Sequence, residues 1–216
     1  MVAERIKPRT PEESLIYWAI VGTWGLWLLG ALYHALPLLA YVLAAIGLYR
    51  RVTRGTAPLP AGVYVWCAGM AVMYAVLVAG HGDFELGFGQ LFKSTFGWAK
   101  GWFLFALLPF AGASLLVRPQ LIYRAIGILG AQTLVLSVVF VAAGLIGLPG
   151  RLYVSPLVYA GGGEDSFFEV GPFLRDNGWL GFRLRYFAPW SPAAALIGCL
   201  LFVLALREKN WLWSWM

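Results

Sequence analysis

LIYRAIGILGAQTLVLSVVFVAAGLIGL, residues 121–148, decides the fold. Its one charged residue is Arg124, near its start. The hydrocarbon core of a bilayer takes about 20 mainly apolar residues per helix. This stretch is long enough to span with tilt, or to extend past the bilayer. Gln132, Thr133 and Ser137 are mild polar groups, expected to bond a neighbouring helix more than a substrate.

Outward from this segment the same pattern repeats. Apolar runs cover residues 15–33, 35–48, 62–80, 101–117 and 192–206. The second is short, so its helix is expected to begin before Pro37. The chain has 216 residues, 61% of them hydrophobic and 12% charged, with a mean hydropathy of +0.75. A soluble domain would carry roughly 25% charged residues. The expected fold class is therefore all-α: a polytopic transmembrane protein of about six spans, forming a single transmembrane domain over residues 1–216. Cys67 and Cys199 fall inside apolar runs and read as small buried residues, not a disulfide or a metal site.

The net charge of +6 reflects topology and does not point to nucleic acid. Arg5, Lys7, Arg9, Arg50, Arg51, Arg54, Arg118, Arg124, Arg207 and Lys209 flank the runs on one side. Lys93, Lys100, Arg151, Arg175, Arg183 and Arg185 are spread along loops on the other. The positive-inside rule then puts both ends in the cytoplasm. Two loops face outward, residues 81–101 and 149–191. Both mix aromatic and charged residues. Long loops are often functional. No acid or base stands at a span centre, which counts against an ion-coupled transporter.

Three groups of residues could carry chemistry. FRLRYFAPWSPAAALIG, residues 182–198, places Arg183 and Arg185 just before the sixth run. In an extended chain residues i and i+2 point the same way, so two guanidiniums could grip a diphosphate. The start of a helix near Pro192 would add its positive end. The bland alternative is snorkelling, or pairing with loop acids such as Asp176 or Glu169. His81, Asp83 and Glu85 in HGDFE could act as acid, base or metal ligands, or be a solvated turn. Lys93 and Lys100, seven apart, would share one face of an interfacial helix. GGGED, residues 161–165, lacks the Gly-Lys-Ser/Thr of a phosphate loop and reads as a flexible connector.

KSTFGWAKGW, VRPQLIYRAIGILGAQTLV, LYVSPL, the FRLRYFAPWSPAAALIG stretch and ALREKNWLWSWM, in that order, resemble the O-antigen ligase and polymerase superfamily. The closest likeness is to its capsular or exopolysaccharide-biosynthesis branch. The resemblance covers about residue 90 to the end. It implies a bacterial inner-membrane glycosyltransferase that takes glycan from a polyprenyl-diphosphate-linked donor. Transfer to a sugar or lipid-core acceptor would occur on the periplasmic side, with residues 149–191 as a long periplasmic loop. No cofactor is implied, since fixed guanidiniums can stabilise the leaving diphosphate. Arg183 and Arg185 match the family's donor-binding arginine motif, Arg-x-x-Gly-x-x-x-x-Pro, but Tyr186 stands where that motif has glycine. His81, Lys100 and Arg151 are accessory outer-face candidates. The family's catalytic histidine lies further along its chain, so this sequence reads as the N-terminal part of a longer protein, inactive alone. The rival readings are a flippase-type transport protein and a non-catalytic membrane assembly subunit.

Overall fold

The computed structural model describes residues 7–55, 58–161, 165–175 and 181–208. The chain is mostly helical, with few and short strands. Three helices are long and apolar enough to cross a membrane: Leu32–Arg54, Ala61–Asp83 and Pro119–Leu145. The chain forms two compact units, one of Met1–Ala35 with Arg118–Met216 and the other of Leu36–Val117.

In the first unit, α1 (Pro11–Val21) starts at Thr10, whose hydroxyl accepts from the Glu13 amide at 3.3 Å. That is a standard N-cap, with proline in the first turn where its missing N–H costs nothing. The run expected as one span over 15–33 is instead two helices, α1 and α2 (Thr23–Leu28), divided at Gly22. Thr23 contributes to the break, because its hydroxyl donates to the Ala19 and Ile20 carbonyls and competes with the ladder. Neither piece alone reaches across a bilayer, at about 1.5 Å per residue.

The central helix of this unit is α7 (Pro119–Leu145), which packs on α1 and on α9 (Ser191–Ala205). Leu121 and Ala125 are completely buried in these contacts. Trp24 and Trp27 meet edge to face at 5.3 Å, and Trp24 meets Phe187 at 5.1 Å. The Trp24 indole N–H donates to Thr133 Oγ1 at 3.2 Å. Thr133 therefore bonds a neighbouring helix, as its place in an apolar span suggested.

The stretch after α7 is not a simple connector. β1 (Tyr153–Val154) pairs antiparallel with β2 (Glu169–Val170), and β3 (Phe173–Arg175) with β4 (Phe182–Leu184). A short helix, α8 (Val158–Gly161), lies between β1 and β2. Phe168, Val170 and Phe173 are buried beneath these strands. Ser155 ties the segment to the end of α2, donating to the Leu29 carbonyl at 2.9 Å. Gly30, with φ +62°, makes this fit, since a Cβ there would overlap the Ser155 side chain.

α3 (Leu32–Arg54) begins before Pro37, as expected. The second unit holds most of α3, then α4 (Ala61–Asp83), α5 (Gly87–Lys100) and α6 (Leu104–Ser114). α4 packs on both α5 and α6. Gly47 of α3 faces Ser114 and Phe110 of α6, and a Cβ there would lie 2.9 Å from the Ser114 Cβ. Residues 81–101, expected to be a loop, are largely helix. The exposed Phe88, Phe92 and Phe96 follow a four-residue spacing on the face turned away from α4. The apolar run at 101–117 yields only the 11 residues of α6.

Candidate functional site in the strand cap

The two arginines singled out by their spacing do not share an environment. Arg183 lies in β4 opposite Leu174 and is exposed. Arg185 is 3% exposed. Its Nη2 donates to Glu169 at 2.8 Å, and its Nε donates to the Gly171 carbonyl at 2.8 Å. The expectation that i and i+2 would point together fails because the strand ends at Leu184. The Arg185 and Tyr186 amides both donate to the Pro172 carbonyl, at 3.1 and 3.2 Å. Tyr186 then adopts φ +52°, in the left-handed region that a non-glycine residue seldom enters. The ladder is broken at this point, and Arg185 is buried where Arg183 is exposed. Glu169, named from sequence as a possible partner, is the partner found; Asp176 lies outside the described residues.

Glycine makes room for the buried guanidinium. A Cβ at Gly171 would lie 2.8 Å from Arg185 Nη2 and would collide with the Gly150 carbonyl. Arg175, a third cation of the cap, donates to the Gly147 and Leu148 carbonyls at 2.7 and 3.1 Å. These follow the C-terminus of α7, where a positive charge complements the helix dipole. The Phe182 ring lies over Gly144 of α7, where a Cβ would sit 2.6 Å from it. The cap is thus fastened to the end of α7 by Arg175 and the Phe182–Gly144 contact, while Arg185 holds the cap together from within. Arg151 is exposed and follows Gly150.

Below the cap, α7 and α9 wall a groove of about 660 Å³. Gly127, Gly130, Ala131, Gly198 and Ala205 keep its walls low. Polar groups enter it at Thr133, Ser137, Tyr186 and Glu208, and the Ser137 and Tyr186 hydroxyls are 2.9 Å apart. A smaller cavity of about 30 Å³ shares Thr133, Tyr186, Gly198 and Leu201 with the groove, and Arg185 also lines it. A buried cation therefore stands next to an apolar channel formed by two helices. No spacing rule would have found this, because it depends on the turn at Tyr186.

At the other end of these helices a second set of charges meets. Arg118, at the start of α7, binds Glu13 through Nε and Nη2, both at 2.8 Å. The Arg9 amide also donates to Glu13, at 2.8 Å. The Arg118 guanidinium holds the Glu13 carboxyl at about 2, well below the usual carboxylate range. Arg124 and Glu208, both buried, approach to 3.5 Å.

The remaining sequence candidates lie in the other unit. His81 Nδ1 is 2.8 Å from the Leu77 carbonyl, which can only accept, so that nitrogen carries the proton. In the neutral ring Nε2 then accepts from the Ser94 hydroxyl at 3.0 Å. Asp83 and Glu85 are exposed, and the described residues contain no group of three or more metal-ligating side chains. Lys100 ends α5, with Nζ 5.3 Å from the Phe96 ring centroid.

Three long apolar helices define a membrane protein. No family model, curated protein or solved structure matches the chain.

Proposed function

We propose that this chain is part of a multi-pass bacterial inner-membrane protein of surface polysaccharide synthesis. In this reading both ends lie in the cytoplasm, and the cap over residues 149–191 faces the periplasm. There the protein engages a polyprenyl-diphosphate-linked glycan and serves its transfer to a sugar or lipid-core acceptor. Support comes from the order of the sequence stretches that resemble O-antigen ligases and polymerases. The observation that carries the reading is the largely apolar groove between α7 and α9, which is also lined by Tyr186, two residues past the strand that holds Arg183. An isoprenoid chain suits such a groove, and a guanidinium suits the diphosphate.

In this reading the two arginines do different work. Arg185 is committed to Glu169 and Gly171 and holds the hairpin. Arg183 is the exposed cation that would meet the donor. The test is glycan transfer in membranes carrying the product of the intact gene. Arg183→Ala is expected to lower transfer at least tenfold at normal protein level, while Lys93→Ala leaves it unchanged. Full transfer by Arg183→Ala would sink the donor role. A photoreactive farnesyl diphosphate should also label α7 or α9 in the wild-type protein.

A further inference from the structure

Thr23, Thr53, Thr133 and Ser137 each donate to the carbonyl four residues earlier in their own helix, at 2.6–3.1 Å. Helical serines and threonines commonly do so, which ties up the hydroxyl proton. Ser94, in the middle of α5, is aimed elsewhere. Its hydroxyl crosses to Nε2 of His81 on α4, at 3.0 Å. The imidazole is itself set by the Leu77 carbonyl, which accepts from Nδ1 at 2.8 Å. In the neutral ring, Nε2 therefore presents its lone pair to the Ser94 hydroxyl. A hydroxyl, a base within about 2.6–3.2 Å and a third group that orients the base are the parts of an activated nucleophile. Here the orienting group is a backbone carbonyl.

The pair can be approached. Both side chains are half-buried. A Cβ at Gly80, Gly82 or Gly97 would meet nothing within 4 Å, so there is open space beside the imidazole and one turn beyond Ser94. Gln90 stands one turn before Ser94 on the same face of α5 and is exposed. Its carboxamide can donate to an oxygen that gains charge near Ser94.

The place is an edge of the membrane. His81 is close to the end of α4, a helix long and apolar enough to cross a bilayer. Asp83 and Glu85, just beyond it, are exposed. Phe88 and Phe92 of α5 are exposed too, so apolar surface that suits acyl chains adjoins the polar end of the helix pair.

We propose that Ser94 and His81 form a catalytic dyad that cleaves the carboxylic ester of a glycerolipid. The Ser94 proton passes to His81 Nε2 as Oγ bonds to the ester carbonyl carbon. The bond from that carbon to the leaving alcohol oxygen then breaks, and the alcohol takes the proton from Nε2. Water repeats the two steps on the acyl-serine, releasing the fatty acid and restoring the Ser94 hydroxyl. The Gln90 amide donates to the carbonyl oxygen while it carries charge. This keeps the sequence reading of His81 as a base and gives Asp83 and Glu85 no part in the chemistry. The site belongs to the second unit and does not depend on Arg183 or on glycan transfer.

The test uses the full chain in nanodiscs of phosphatidylcholine. A fluorophosphonate, which bonds to activated serines, should label the wild-type protein at Ser94, located by mass spectrometry. Fatty acid release from the phosphatidylcholine should exceed that of empty nanodiscs and fall to that background in Ser94→Ala. This substitution removes one hydroxyl and should leave thermal unfolding nearly in place, so the loss reads chemistry and not folding. His81→Gln should lower the rate about a hundredfold or more. Gln90→Ala should lower it about tenfold. Lys93→Gln and Arg183→Ala should leave it unchanged, and the second of these separates this activity from glycan transfer. No adduct at Ser94, or fatty acid release that survives Ser94→Ala, would overturn the proposal. Turnover of the water-soluble ester p-nitrophenyl butyrate without release from phosphatidylcholine would overturn the lipid as substrate.

Discussion

Residues 81–101 and 149–191 look alike in sequence: both mix aromatic residues, glycines and charges between apolar runs. They fold in opposite ways. The first becomes α5, whose phenylalanines recur every four residues. It meets α4 through hydroxyl and imidazole contacts such as His81 to Ser94. The second becomes a strand cap held by contacts far apart in sequence, among them Arg185 to Glu169. A segment with helical periodicity needs only a weak tether, because its backbone bonds are satisfied within the segment. A cap of two- and three-residue strands has few such bonds and depends on specific buried anchors. A single buried ion pair should therefore matter far more in the cap than any one contact matters in α5.

The sharpest way to break this contrast is Arg185→Ala. It leaves Glu169 without its partner and should cost about 3–5 kcal/mol, the usual penalty for halving a buried pair. Thermal unfolding in detergent, or loss of protein from membranes, reads this directly. A change below 1 kcal/mol would mean that the cap is held by its glycine contacts and aromatic burial alone.

A second pair, Glu13 with Arg118, extends the contrast to pH. The folded Glu13 carboxyl titrates at about 2, against about 4.5 when unperturbed. Its folded value is lowered, so its stabilising contribution is complete above about pH 4.5. That contribution is lost as the pH falls towards 2. Glu13→Gln should flatten the stability profile across this window and change it little in shape between pH 6 and 8. An unchanged acid limb would show that Glu13 is not the titrating group.

The smallest effect belongs to α5. Ser94→Ala removes the hydroxyl that meets His81. Interhelical bonds of this kind average about 0.6 kcal/mol in membranes. Thermal unfolding should move by no more than a degree or two. A loss as large as that of Arg185→Ala would put α5 in the same class as the cap and erase the comparison.

The sequence alone was enough for the membrane class. Runs such as 121–148 are too long and too apolar for a soluble fold, and the start of α3 ahead of Pro37 followed from the shortness of its run. Helix breaks were not visible in this way. The runs at 15–33 and 101–117 are apolar throughout, and hydropathy does not register a threonine that bonds backwards or a glycine that turns the chain. Only the tertiary structure separated Arg183 from Arg185. Their spacing is that of neighbours on one strand face, but the left-handed turn at Tyr186 and the shared Pro172 carbonyl end the strand between them. Composition fixes which solvent a chain prefers, because burial free energy adds up residue by residue. The aim of a single side chain depends on backbone angles and on partners distant in sequence. For that reason the cap and the groove came from the structure.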